Sequence, residues 1–259
     1  MDLQLNGKRV LVTGASQGIG YACALAFAQE GATPIMAARD PAKLELAAAA
    51  IAAATGITPV CIPADLGEDG AAQRLADAAG EVDILVNNAG AIPGGSLDKV
   101  DDARWRAAWE LKLYGYINLV RACLPAMQAR RSGVIANIIG MAGAEPRNEY
   151  VAGSTANAAL MAFTKAVGGA SPRDNVRVFG VNPSQTRTQR IVSVSKDLAA
   201  TRLGDSDRWE ELTKGLPFGR LMEPEEVASM VVFCCSPRAA YLSGSVIDLD
   251  GGQANATPG

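Results

Sequence analysis

Short runs of consecutive apolar, often β-branched residues alternate along the chain with longer stretches that follow a helical pattern. The strand-like runs are Val10–Val12, Pro34–Ala38, Thr58–Ile62, Val82–Val86, Gly133–Ile139, Val176–Val181 and Ser245–Leu249. Continuous apolar runs of this length are what strands buried on both faces require. Between them the pattern predicts helices over 21–30, 41–54, 68–79, 101–130, 150–170 and 224–235. Strands separated by single helices need crossovers, so the expected fold is α/β, a doubly wound parallel sheet of about seven strands with helices on both faces. No linker, repeat or composition shift divides the chain, and residues 1–259 are expected to form a single domain. The segment 184–216 breaks the rhythm. It follows a strand end directly and lacks clean periodicity, and it is expected to be an irregular substrate lid.

The first strand-to-helix turn carries Thr13-Gly14-Ala15-Ser16-Gln17-Gly18-Ile19-Gly20. Glycines at such a turn serve three needs: a sharp change of direction, close approach of backbone to a pyrophosphate, and tight packing of helix on sheet. The helix N-terminus then offers free N–H groups and a partial positive charge to the phosphates. With a strand before it and a helix after it, the motif predicts dinucleotide binding on a Rossmann-type sheet. Cofactor choice turns on the end of the second strand. An acid there would bind a ribose 2′-hydroxyl and repel a 2′-phosphate. The position holds Ala38, followed by Arg39, whose guanidinium suits a 2′-phosphate. NADP(H) is therefore expected over NAD(H), with Asp40 weakening the local field.

Composition narrows the chemistry. Of 259 residues, 49% are hydrophobic and 20% charged, enough for a large core, and the net charge of −3 comes without a basic tract. Nucleic acid is not an expected partner, and no stretch is long and apolar enough to predict a membrane span. The five cysteines are scattered, with no C-x-x-C spacing, which fits reduced thiols and a cytoplasmic location rather than disulfides or zinc. The chain contains no histidine. Histidine-dependent triads, imidazole bases and histidine-ligated metals are thereby excluded, and no metal is expected.

Taken together, the glycine turn, Asp65-Leu66, Asn87-Asn88-Ala89-Gly90, Asn182-Pro183, Thr188, Pro217–Arg220, Pro224–Glu226, Ser243-Gly244 and Asp250–Gly252 resemble the short-chain dehydrogenase/reductase family over nearly the full length. The resemblance implies that Gly14, Ser16, Gln17, Gly18, Ile19 and Gly20 surround the phosphates and ribose. It implies Asp65 and Leu66 at the adenine, Asn88 beside the adenosine ribose and Thr188 near the nicotinamide amide. It also implies a homodimer or homotetramer.

The family's usual catalytic residues are an Asn in the long helix, a Ser after the fifth strand and Tyr-x-x-x-Lys on the next helix. Alignment on Asn137–Gly143 and on Ala158–Thr164 places Gly140 at the Ser, Gly153 at the Tyr and Asn157 at the Lys; in the long helix Lys112 stands at the Asn. All four positions are replaced. Loss of acid–base catalysis removes about 10²–10⁴ in rate, while holding donor and acceptor together still supplies roughly 7–11 kcal/mol. Three residues are candidates for rebuilding the site. Tyr150 lies three residues before Gly153, one turn earlier, and is a candidate acid/base; its alternative is a packing tyrosine. Lys112 and Asn157 exchange the residue types of their positions, so Lys112 is a candidate replacement cation, with a solvated helix lysine as the alternative. Ser154 is expected to be a helix-surface hydroxyl, and Glu145, Arg147 and Glu149 solvated loop charges. Trp105 and Trp109 are expected to pack the long helix, and Cys234 and Cys235 to lie in the core.

The leading functional expectation is an NADP(H)-binding oxidoreductase acting on a small carbonyl or alcohol through a non-standard site. A catalytically silent nucleotide- or partner-binding protein and a non-redox lyase or isomerase on the same scaffold are the alternatives.

Overall fold

The computed structural model describes residues 1–256. Seven strands form one parallel sheet: β1 Arg9–Thr13, β2 Thr33–Ala38, β3 Val60–Pro63, β4 Ile84–Asn87, β5 Gly133–Ile138, β6 Val176–Pro183 and β7 Val246–Leu249. Their spatial order is β3-β2-β1-β4-β5-β6-β7. The order reverses between β1 and β4, and that reversal opens a crevice beyond the carboxyl ends of the strands.

The described residues form eight α-helices, all but α7 belonging to the layers around the sheet: α1 Gly18–Gln29, α2 Pro41–Thr55, α3 Ala71–Ala79, α4 Asp102–Trp109, α5 Gly115–Ala129, α6 Val151–Ala170, α7 Gln189–Leu203 and α8 Pro224–Cys235. Alternation along β1 shows the layering. Val10 and Val12 pack with Phe27 of α1, Ile51 of α2 and Val231 of α8, while Leu11 faces Leu75 of α3 and Leu119 of α5. Both faces are thus apolar, as the unbroken strand runs demanded. None of the described helices is long and apolar enough to cross a membrane.

Three elements differ from the sequence expectation. The stretch expected at 68–79 becomes helical only at Ala71, because Gly70 sits at φ 70° as its N-cap. The helix expected over 101–130 is interrupted by a π-helical turn, Glu110–Tyr114, centred on Lys112. The segment 184–216 is not irregular: it holds the 15-residue α7, capped by Thr188, and a 3-10 stretch, Ser206–Thr213. The pattern missed α7 because the helix does not pack on the sheet. Ala199 is its one buried residue, packed with Trp209 and Leu221 in a small separate cluster, so its apolar stripe is too narrow to give a periodic signal.

Candidate functional site

Thr13 ends β1 and fixes the floor of the crevice. Its hydroxyl accepts from the backbone N–H groups of Asn88 (2.9 Å) and Ala89 (3.0 Å), tying the end of β1 to the end of β4. The Asn88 amide donates to the carbonyls of Thr13 (3.0 Å) and Gly14 (3.3 Å). The turn between them has no room for side chains. Gly14 adopts φ 64°, and a Cβ there would stand 2.9 Å from Asn88 Nδ2. A Cβ on Gly20 would overlap the Gly14 carbonyl oxygen and come 2.6 Å from Asn88 Nδ2. Gln17, the N-cap of α1, makes no side-chain capping bond, so no side chain competes for the first-turn N–H groups of that helix.

Above this turn lies a cleft of about 470 Å³. Gly14, Ser16, Gln17, Gly18, Ile19, Arg39, Leu66, Asn88 and Thr188 all line it, as do Lys112 and Tyr150. Gly20 does not line it and instead packs beneath Gly14. Asp65 lies in a neighbouring cavity of about 680 Å³, which Arg39 also borders. Thr188 reaches across the crevice; its methyl would be 3.1 Å from a Cβ on Gly18.

At one end of the cleft, Arg39 approaches Asp65 at 3.9 Å, with both side chains substantially exposed. Such a pair holds a guanidinium weakly. The Asp40 carboxylate caps α2, accepting from the Lys43 backbone N–H (3.1 Å), and its other oxygen lies 3.7 Å from the Lys43 ammonium. Arg39 and Lys43 therefore share the cleft wall with an acid engaged in capping.

The opposite end is lined by Lys112, Ile139 and Tyr150, with Gly140, Gly153 and Asn157 packed next to them. The π turn aims Lys112 across the crevice, where its ammonium donates to the Ile139 carbonyl at 2.7 Å. Gly90 makes room for the lysine stem, since a Cβ there would be 2.7 Å from Lys112 Cδ. Burial pulls the Lys112 pKa from 10.5 down to about 8, and the nearby Arg190 charge adds to the depression. Lys112 is thus not a solvated helix lysine. Next along the chain, Gly140 adopts φ 127°, and a Cβ there would stand 3.1 Å from Asn157 Nδ2. The buried Asn157 amide donates to the Gly140 carbonyl at 3.3 Å, while its Oδ1 has no partner. Beneath them, Asn137 links Asn87 to Thr164 through bonds of 2.9 Å each.

Tyr150 is the N-cap residue of α6, at φ −144° and ψ 39°, just outside the helix rather than within it. Its half-buried ring lies over Gly153, and a Cβ there would overlap Tyr150 Cε1 and Cζ. Burial pushes the Tyr150 phenol up, and the Arg190 charge opposes that shift. Behind it, the buried Tyr116 hydroxyl donates to the Ile138 carbonyl at 2.9 Å.

Ser154 departs from expectation. It is buried rather than on the helix surface, and its hydroxyl accepts from the Arg147 backbone N–H at 3.0 Å, holding the loop before α6. Trp105 and Trp109 do pack, with ring centroids 5.9 Å apart, and the Trp109 indole donates to the Ala152 carbonyl at 3.0 Å. Cys234 and Cys235 are buried.

Sequence reasoning missed Arg190. It lines both cavities and its guanidinium donates to the Ile92 carbonyl. A signal was present: a cation two residues after an N-cap threonine sits against the helix dipole, where arginine is disfavoured.

A family model described as "Enoyl-(Acyl carrier protein) reductase" matches residues 14–254. Among curated proteins, 2,3-dihydro-2,3-dihydroxybenzoate dehydrogenase of Bacillus subtilis is 31% identical over 252 residues, covering 96% of this chain and 96% of its own. Among solved structures, L-sorbose reductase of Gluconobacter frateurii complexed with NADPH and L-sorbose superposes with a TM-score of 0.93 at 31% identity, covering 99% of this chain and 100% of that one. A protein described as a short chain dehydrogenase/reductase family protein superposes with a TM-score of 0.85 at 35% identity, over 99% and 100% of the two chains.

Proposed function

Because the chain belongs to the short-chain dehydrogenase/reductase family, we propose that it is an NADP(H)-dependent oxidoreductase acting on a small carbonyl or alcohol. Tyr150 is the acid/base and Lys112 a cation lining the same cleft. The observation that carries this reading is the shared volume of Tyr150 and Gly153. With no Cβ at 153, the ring of Tyr150 lies against the α6 backbone at that position, and the same residue lines the cleft.

The cleft fits a dinucleotide. The side-chain-free turn at Gly14–Gly20 and the uncapped start of α1 offer N–H groups to a pyrophosphate. Arg39, with Lys43 beside it, offers cations to a 2′-phosphate. That cation pair supports NADP(H), as does the NADPH bound in the sorbose reductase. Thr188 faces the glycine turn from α7 and would meet the nicotinamide side. When bound, the dinucleotide supplies or accepts the hydride.

The remaining work falls to the chain's own side chains. Burial favours the neutral phenol of Tyr150, the form that donates a proton to a carbonyl oxygen. In the reverse direction the same oxygen takes the alcohol proton. The Arg190 charge lowers the cost of phenolate at Tyr150, and Lys112, with its pKa near 8, is mostly charged at neutral pH and adds a second cation to the cleft that Tyr150 lines. The family also supports assembly as a homodimer or homotetramer.

The test is a fluorescence titration with NADPH and NADH, followed by NADPH oxidation across a panel of ketones and aldehydes. Saturable binding, tighter for NADPH, with measurable oxidation of some carbonyl is expected. Binding of neither nucleotide overturns the cofactor reading. Binding without oxidation of any carbonyl overturns the oxidoreductase reading and leaves a nucleotide-binding protein.

A further inference from the structure

The inner end of the cleft is rich in donors and short of acceptors. Arg190 carries five N–H groups and makes one hydrogen bond among the described residues, to the Ile92 carbonyl. Lys112 carries three and makes one, to the Ile139 carbonyl. Tyr150 lines the same cleft, and its hydroxyl makes none among the described residues. Among the described residues the one carboxylate bordering the cleft, Asp40, lies at the other end and caps α2. Neither Arg190 nor Lys112 forms an ion pair with any described residue, whereas Arg39, the other arginine lining the cleft, approaches Asp65 at 3.9 Å.

Two cations that raise one another's free energy persist only where something offsets the repulsion. Arg190, Lys112 and Tyr150 all line the one cleft, and the Arg190 charge acts on both of the others. A simple ketone would bring one acceptor, its carbonyl oxygen, which Tyr150 alone satisfies. An arginine fork with spare N–H groups matches a carboxylate, which brings two oxygens and the missing negative charge.

We propose that the substrate is an oxo acid or its hydroxy acid, its carboxylate held by Arg190 with Lys112 alongside, and its reacting oxygen directed to Tyr150. This rests on the oxidoreductase reading above. It gives α7 a purpose: the helix that carries Arg190 also presents Thr188 at its N-cap, so one element meets both substrate and cofactor. A rival source of the same anionic chemistry is the dinucleotide's own phosphates.

The experiment titrates pyruvate, acetoacetate and levulinate, each against its methyl ester, into the protein–NADP+ complex, in which no hydride can pass to the oxo acid, following quenching of the protein's tryptophan fluorescence. At least one acid is expected to bind about tenfold or more tightly than its ester, the scale of one charge-assisted fork. Arg190→Gln should remove that preference and leave NADPH affinity within about twofold, while Arg190→Lys retains part of the preference. Equal binding of acids and esters overturns the proposal. So does an Arg190→Gln variant that loses NADPH affinity as steeply as acid affinity, which puts the guanidinium on the dinucleotide's phosphates. The two readings fail separately: NADPH binding without acid preference sinks this one alone, whereas a protein that does not bind NADPH sinks both.

Discussion

Tyr150 and Gly153 occupy one volume: a Cβ on Gly153 would overlap the Tyr150 ring at Cε1 and Cζ and stand 2.6 Å from Cδ1. The absence of a side chain at 153 is therefore what lets the tyrosine lie where it does. A void at 153 and a ring from 150 are two halves of one arrangement. Gly153→Ala should push the ring aside, destabilising the protein by about 1–3 kcal/mol, the usual cost of overpacking. The same substitution in a Tyr150→Ala background should be close to neutral. Chemical denaturation of the four proteins of this cycle measures the coupling, and additive effects would separate the two residues.

Lys112 makes a pH-dependent contribution whose sign is fixed. Its folded pKa, about 8, lies below the ordinary 10.5, so between these values the unfolded chain binds more protons than the folded one. Stability should rise with pH across that window, because the penalty for burying the charge is fully present below about 8 and fades towards 10.5. Lys112→Met should remove this rise. Comparing the denaturation midpoints of both proteins at about pH 7.5 and about pH 10.5, the two ends of that window, checks it.

Catalysis should show the opposite slope. If the ammonium assists the phenol, turnover falls as pH climbs through about 8. Arg190 from α7, Tyr150 at the start of α6 and Tyr116 from α5 face the same region. The arginine stays charged throughout, and burial raises both phenols, so neither supplies a competing limb near 8. The alkaline limb should vanish from the pH–rate profile of Lys112→Met, and cofactor affinity should fall with it.

At the other end of the cleft, Arg39 decides between cofactors. Arg39→Ala should weaken NADPH by about tenfold or more while leaving NADH nearly unchanged, since only the former carries a 2′-phosphate. Asp65→Asn, which frees the guanidinium from its 3.9 Å neighbour, should change NADPH affinity by much less, as an exposed pair is worth little. Dissociation constants for both nucleotides decide the point.

The fold was largely legible because burial on both faces leaves a plain mark: Val10–Val12 and Val176–Val181 are unbroken apolar runs flanked by helices. The glycine turn was equally plain, since Gly14 and Gly20 are forced by backbone approach that no other residue permits. What escaped was structure made by neighbours rather than by pattern. α7 packs on Trp209 and Leu221 instead of on the sheet, so its sequence carries no strong period. The π turn that aims Lys112 has no compositional signature, and Ser154 is buried by a loop that folds back on it. Arg190 announced itself only as a charge in the wrong place on a helix.

The central claim is that Tyr150 supplies the proton, and single-turnover hydride transfer tests it most directly. Wild type and Tyr150→Phe are each loaded with NADPH and mixed with a carbonyl that the wild type reduces. The phenylalanine variant is expected to bind NADPH with unchanged affinity and to transfer hydride about 10²-fold or more slowly. Equal rates from the two proteins would contradict the claim and return Tyr150 to the role of a packing side chain over Gly153.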